Sequence, residues 1–286
     1  AVGRDRKLFA VGRMVDPSAF GTDEFAFGGT GNDAGEGDRL AVRVDDADGI
    51  AVFGILKMEA GTLYVVATPI GNLADISERA RETLALCDVV ACEDTRVTGV
   101  LLNRLGLKKE MFVNENSREK SAAPALLKML SEGKNVALVS DAGTPCVSDP
   151  GFRIVRACRA AGVKVSPVPG PCAFISALCA SGLPSDSFLF AGFLPPKTSA
   201  RRAYFEKYAD FPHSLIFYES PYRIEKFAAD ALEIFGETRV ACFAKEITKF
   251  YERFFVGKLG GVCGELKSAS TKGEFTVIIA PRGFEL

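Results

Sequence analysis

The sequence predicts an α/β fold built on a largely parallel sheet, and three observations carry that prediction. Short apolar, β-branched runs recur, among them Leu63–Ala67, Val89–Cys92 and Val136–Val139. Stretches with one apolar helical face separate them, as in Ile76, Ala80, Thr83, Leu84 and Cys87. Each run ends in a loop of Gly, Pro, Asp or Thr, so strands connect through helices, which implies right-handed parallel crossovers.

Along the chain, residues 1–57 differ in texture from the rest. They hold a loop-like Gly28–Gly37 region and an acidic series at Asp45, Asp46 and Asp48. Gly29-x-Gly31-x-x-Ala34 matches a dinucleotide fingerprint only formally, with no strand before it and no periodic helix after it. The pattern becomes regular from Met58. Asp75 and Glu78 form a capping-box-like pair ahead of the first helix. After Val89–Cys92 the reading gives a helix to Leu105, a strand near Met111–Val113 and a helix ending before Gly133. The stretch Asn135–Gly151 then places a buried strand before a loop poor in side chains, with Asp149 as helix cap and Pro150 in the first turn. That helix carries Ile154, Val155 and Cys158 inward, and Val163–Val165 follows as a strand. Further on, Phe188–Phe193, Leu215–Tyr218 and Val240–Ala244 are apolar runs. An amphipathic helix from Ile224 to Phe235 with Gly236 as its stop separates the last two, and Arg253–Val256 and Phe275–Ala280 close the series.

Bulk properties narrow the function. The chain has 286 residues, 48% apolar and 25% charged, which suits one large or two modest globular domains. Residues 1–57 hold 7 basic and 10 acidic side chains, leaving 28 and 26 in the rest; neither balance suggests a general polyanion binder, so nucleic-acid recognition would need a local patch. No apolar run approaches the ~18–20 residues of a membrane span, and Arg13 ends the run after Arg4, Arg6 and Lys7 too soon for a signal peptide, so the expected setting is cytoplasmic. The eight cysteines form no CxxC pair and read as reduced core thiols. His213 is the only histidine, which removes multi-histidine metal sites and disfavours a histidine-based triad. No metal is expected.

Four strand ends carry polar residues: Pro69–Asn72, Glu93–Arg96, Asp141–Pro145 and Lys245-Glu246. In an open α/β sheet such ends lie along one edge, where ligands bind. The loop Asp141-Ala142-Gly143-Thr144 suits two chemistries. A phosphohydrolase with an aspartyl nucleophile would want a second Asp where Gly143 stands. A cofactor site wants small residues that let the backbone approach a ligand, and this reading fits better.

These residues form a resemblance. Thr68-Pro69-Ile70-Gly71-Asn72, Glu93-Asp94-Thr95-Arg96, Ser140-Asp141-Ala142-Gly143-Thr144-Pro145, Ser148-Asp149-Pro150-Gly151 and Pro169-Gly170-Pro171-Cys172 stand in order. Gly192-Phe193-Leu194-Pro195, Phe217-Tyr218-Glu219-Ser220-Pro221-Tyr222-Arg223 and Lys272-Gly273-Glu274-Phe275 follow. Over about Gly61 to Pro281 the chain resembles the ribosomal RNA small-subunit methyltransferase I proteins, which have the tetrapyrrole-methylase (class III) fold. The resemblance implies a two-domain α/β fold, with a mostly parallel N-terminal sheet over 58–169 and a mixed C-terminal sheet over 170–286. S-adenosylmethionine would bind in the cleft between them. It further implies 2′-O-methylation of a cytidine in the decoding region of 16S rRNA, within the 30S subunit, by a homodimer. Residues 1–57 have no counterpart and are expected to be a disordered or non-native extension, with Ala1 reflecting an incomplete gene start. Family members often carry Arg-His-Thr where this chain has Arg96-Val97-Thr98, and histidines near Asn114–Asn116, so no histidine role transfers. Many members continue into a small helical domain, whose RNA contacts are not carried over either.

On that resemblance Asp141, Ala142, Gly143, Thr144, Pro145, Gly170 and Pro171 would surround the cofactor, while Pro69, Gly71 and Asn72 shape the cleft. Glu93 or Asp94 would take the hydroxyl proton and Arg96 orient the acceptor. Lys245, Glu246, Lys272 and Glu274 are second-rank candidates. Lys197, Arg201 and Arg202, near Tyr204 and Tyr208, would contact RNA; the competing reading is a solvated helix face with tyrosines on the core. Three alternatives stay open: a tetrapyrrole C-methyltransferase, a phosphohydrolase and a non-catalytic ribosome-binding module. Transfer to uroporphyrinogen, phosphate release with Mg²⁺, or 30S binding without modification would separate them.

Overall fold

The structure is a computed structural model that describes residues 60–286 throughout and, before them, the backbone of four strands. Those strands, β1 (Leu8–Ala10), β2 (Arg13–Val15), β3 (Arg39–Asp45) and β4 (Ala51–Lys57), pair antiparallel in the order β2-β1-β4-β3. The Gly28–Gly37 region lies outside the described residues.

The first large sheet contains β5 (Leu63–Val66), β6 (Val89–Cys92), β7 (Glu110–Val113), β8 (Val136–Leu138) and β9 (Val165–Val168). All pairs are parallel, in the order β7-β6-β8-β5-β9. The intervening helices are α1 (Glu78–Leu86), α2 (Thr95–Arg104), α3 (Glu119–Ser131) and α4 (Phe152–Ala160). Successive strand residues point to opposite faces, so both faces must be covered. Val89 and Ala91 pack with Leu126, Leu130, Ile154 and Cys158 of α3 and α4. Val90 and Cys92 pack with Ala80, Leu84 and Leu102 of α1 and α2.

Three local expectations are corrected. Ser77, not Asp75, caps α1, its Oγ accepting from Ala80 N–H at 3.1 Å. Asp149 does not cap α4, which begins at Phe152 after Gly151. Instead the buried Glu119 of α3 accepts from Gly151 N–H at 2.9 Å and Arg153 N–H at 2.8 Å. A carboxylate from a neighbouring helix thus serves the orphan donors and frees Asp149. Strand β9 also starts two residues later than the apolar run suggested. Val163 N–H donates to Cys158 O at 2.9 Å, so Val163 still belongs to the end of α4.

The second large sheet holds β10 (Phe188–Phe193), β11 (Ser214–Glu219), β12 (Val240–Lys245), β13 (Arg253–Lys258) and β14 (Phe275–Ile279), ordered β10-β11-β14-β12-β13. Only β10 and β11 are parallel; the other pairs are antiparallel, as a mixed sheet requires. On one face α6 (Thr198–Lys207), α7 (Ile224–Phe235) and α8 (Leu259–Ser268) bury Phe205, Phe227 and Val262 against Phe217, Phe243 and Val277. On the other, α5 (Ala173–Ser181) sets Ala177 and Leu178 on Ile216, Cys242 and Ile278. The rings of Phe205, Phe217 and Phe227 meet edge to face at 5.1–5.8 Å, the arrangement aromatic quadrupoles favour. No helix among the described residues is long and apolar enough to cross a membrane. The eight cysteines are all free.

Candidate active site

Three adjacent strand ends of the parallel sheet are tied together into a floor. Thr68 and Gly143, after β5 and β8, exchange backbone hydrogen bonds of 2.9 and 3.1 Å. The Thr144 hydroxyl donates to Pro171 O, after β9, at 3.0 Å. Gly143 sits at φ +84°, and a Cβ there would lie 3.3 Å from Ile70 Cγ2, so a side chain would strain the backbone and crowd the floor. At Gly170 a Cβ would meet that of Ala67 at 3.0 Å.

The second sheet supplies the opposite wall. Phe193 ends β10, Tyr218 and Glu219 end β11 with Ser220 and Pro221 just after it, Ala244 and Ile247 lie at the end of β12, and Phe275 and Thr276 start β14. Because β14 runs antiparallel, its first residues share an edge with the last residues of β11 and β12. Between floor and wall lies a cleft of about 370 Å³, within the range of small-molecule sites. Tyr218 Oη accepts from Phe174 N–H at 3.2 Å, and burial pushes its hydroxyl well above the usual range. Glu219 is buried, its Oε2 paired to Arg223 at 2.9 Å.

Carboxylates dominate the polar lining. Asp141, Asp149 and Glu274 all face the cleft. Burial raises Asp149 to about 6, with the Ser140 hydroxyl offsetting part of this and the Asp141 charge adding to it. Asp141 is also raised, first by burial, although its Oδ1 accepts from Asp94 N–H at 3.1 Å. Glu93 is raised by burial and then by Asp141 and Asp149. Asp94 goes the other way. Its side chain caps α2 and binds the Arg96 guanidinium at 2.6 Å, which pulls it down to about 2. An aspartate that holds its charge so firmly is a poor proton acceptor.

Of the residues expected around the cofactor, Asp141, Ala142, Gly143, Thr144 and Glu274 line the cleft directly. Pro69, Gly71, Pro145, Gly170 and Pro171 stand in the loops around them without lining it, and Asn72 caps a short 3-10 turn at Leu73–Asp75. Lys272 is exposed outside the lining. Lys245 is corrected: strand alternation turns it away from Ala244, and its buried Nζ donates to Ser270 O at 2.7 Å. Glu246 does not enter the cleft lining, but its Oε1 accepts from the cleft-lining Lys249 at 2.9 Å.

The expected RNA patch is corrected too. Arg201 is 1% exposed, its Nε bound to Asp230 at 2.8 Å, so it cannot reach a phosphate. Arg202 is engaged by Asp230 at 2.7 Å and Glu233 at 2.6 Å. Tyr204 and Tyr208 pack on the C-terminal core. Lys197 alone lies exposed, at the start of α6. His213 is half-buried with its ring against Phe211. Sequence reasoning missed Asp149 as a cleft residue, and Lys249 altogether. The available signal for Lys249 was its place four residues beyond the end of β12, on the binding edge.

Two α/β halves with a cleft along their shared strand-end edge define the tetrapyrrole-methylase class, and residues 62–263 match Tetrapyrrole (Corrin/Porphyrin) Methylases. Uroporphyrin III C-methyl transferase from Thermus thermophilus superposes with a TM-score of 0.55 at 18% identity, covering 77% of this chain and 97% of that one. The methyltransferase CobJ gives 0.60 at 19%, covering 79% and 97%; at such identities the likeness shows the fold. Ribosomal RNA small subunit methyltransferase I of Escherichia coli O157:H7 is 46% identical over 221 residues, 77% of each chain. The Haemophilus influenzae protein of that name is 48% identical over 221 residues, 77% of this chain and 78% of its own. The chain belongs to the ribosomal RNA small subunit methyltransferase I family.

Proposed function

We propose that this protein is an S-adenosylmethionine-dependent methyltransferase that modifies the 2′-hydroxyl of a cytidine in the decoding region of 16S rRNA. The observation that carries this is the 46–48% identity to the small-subunit methyltransferases across both halves that form the cleft. We further propose that it works on the 30S subunit, as a homodimer, in the cytoplasm where ribosomes assemble.

The residues fit the cofactor. The small floor of Ala142, Gly143 and Thr144 admits a flat group close to backbone, and Ile70, Ala173, Phe193 and Ile247 offer apolar contact. Asp141 and Glu274 supply negative charge for a ligand that carries ammonium and sulfonium cations. When bound, S-adenosylmethionine supplies an electrophilic methyl group on sulfur.

This chain's own part is to hold the acceptor and remove its proton. A ribose hydroxyl is a weak nucleophile, so a base must take the proton as the bond to carbon forms. We assign that role to Asp149, which lines the cleft and, at about 6, is ionised at neutral pH while keeping real affinity for a proton. Asp141 sustains that affinity through its charge. Glu119 holds the turn that presents Asp149. The test is methylation of 30S subunits from a strain lacking the modification, with labelled donor and nucleoside analysis. Label recovered as 2′-O-methylcytidine is expected; its absence would overturn the reading.

A further inference from the structure

The loop from Glu246 to Glu252, between β12 and β13, carries more construction than a turn requires. Two non-glycine residues in it hold left-handed backbone, Glu246 at φ +51° and Thr248 at φ +67°. Such strain persists only where surrounding contacts impose it, and it gathers at functional sites. Here Glu246 Oε1 accepts from Lys249 Nζ at 2.9 Å and from Glu274 N–H at 3.0 Å, and Thr248 N–H donates to Glu252 at 2.6 Å. Lys249 also lies against the N-terminal half, since a Cβ built on Gly71 would stand 2.4 Å from Lys249 Cγ. The loop is a strap across one side of the cleft.

What the strap presents is aromatic. Phe250 and Tyr251, next to the cleft-lining Lys249, are 92% and 72% exposed, their rings edge to face at 5.0 Å. Tyr222, next to the cleft-lining Pro221, is 93% exposed, and Phe193 is a lining residue that is itself 57% exposed. Exposed apolar groups that line one cleft or stand next in sequence to its lining mark a binding surface.

We propose that Phe250 and Tyr251, with Tyr222 and Phe193 on the same rim, stack on unpaired bases that flank the acceptor nucleotide. This rests on the RNA reading of the cleft given above. A cleft of about 370 Å³ takes a donor-sized molecule and little more, so neighbouring nucleotides must cross the rim. Base faces are what flat apolar rings recognise in single-stranded RNA. A phosphate clamp at the strap itself fits less well, because its one cleft-lining cation, Lys249, is engaged by Glu246 and Glu274, and Arg96 across the cleft is engaged by Asp94.

The test compares the full chain with a Phe250→Ala/Tyr251→Ala double variant on 30S subunits lacking the methyl group. Expected is a rise in the KM for subunits of about tenfold or more. The S-adenosylmethionine dissociation constant should stay unchanged by calorimetry, and Phe250→Tyr/Tyr251→Phe should restore KM. An unaltered KM in the double variant, with the parent chain active, overturns the stacking inference and leaves the methyltransferase reading intact. An inactive parent chain overturns that reading itself. If the double variant instead changes oligomeric state by light scattering while its KM holds, the rings belong to a second copy of the chain and the stacking inference falls.

Discussion

Two aspartates, Asp230 buried and Asp149 half-buried, sit in opposite surroundings. Asp230 of α7 is held between Arg201, at 2.8 Å, and Arg202, at 2.7 Å, and joins α6 to α7. Asp149 in the cleft has carboxylates and a serine around it, and burial lifts it to about 6. The first site spends its charges on each other and has none left for a ligand. The second leaves charge uncompensated, at a cost to stability, where a cationic cofactor and a proton are to be handled. A charged residue therefore says little about function until its partner is known.

The largest expected effect lies on the structural side. Arg201→Ala leaves Asp230 buried with one partner, and removing one member of a buried pair costs about 3–5 kcal/mol. Urea unfolding should show that loss, while the methylation rate per folded molecule stays at the parent value. A variant that folds normally but loses RNA affinity would return Arg201 to the RNA surface and erase the contrast.

On the cleft side, Asp149→Asn should slow methylation about a hundredfold or more while S-adenosylmethionine still binds. Its stability should move the other way. The folded state holds the Asp149 proton more tightly than the unfolded chain does, so stability falls as pH rises from about 4 to about 6, and stays reduced above. The asparagine variant should therefore unfold at higher urea than the parent at pH 8, by roughly 1–2 kcal/mol after allowing for solvent screening. That gap should close toward pH 4. The parent's methylation rate should rise through about 6 and level off, an inflection absent from Asp149→Asn.

The contrast also explains how far the sequence could be read. Alternating apolar runs made the parallel sheet legible nearly strand by strand, because β6 and β8 are buried on both faces and show it in their composition. Helix α8 was hidden, since Leu259-Gly260-Gly261-Val262-Cys263-Gly264 carries three glycines and its helicity comes from packing on β13. Helix α5 is apolar on most sides and lacked a polar face to mark it. Among site residues, those in small-residue loops were found because Gly143 and its neighbours announce a close backbone approach. Asp149 was misread because Asp-Pro before a helix is the usual capping pattern, and Glu119 supplies the cap from 32 residues upstream of Gly151. Arg201 looked like a phosphate ligand because its partner lies 29 residues away, on the next helix.

The smallest effect falls on Asp94, beside Glu93 in sequence and removed from it in chemistry. The Arg96 hydrogen bonds hold its carboxyl down at about 2, and its side chain accepts from Arg96 N–H at 2.8 Å to cap α2. A depressed carboxylate contributes stability above its unfolded value of about 4, and that contribution is lost as pH falls toward 2. Asparagine caps a helix about as well as aspartate, so Asp94→Asn should keep α2 and leave the methylation rate near that of the parent. Its stability should trail the parent in full above about pH 4, the gap closing as pH falls toward 2. Asp141→Asn, at the carboxylate that accepts from Asp94 N–H, should instead move the rate inflection below 6, because it removes the negative charge that adds to the rise of Asp149. If Asp94→Asn abolishes turnover while Asp149→Asn spares it, the proton goes to Asp94, and the strongly paired carboxylate is the catalytic one.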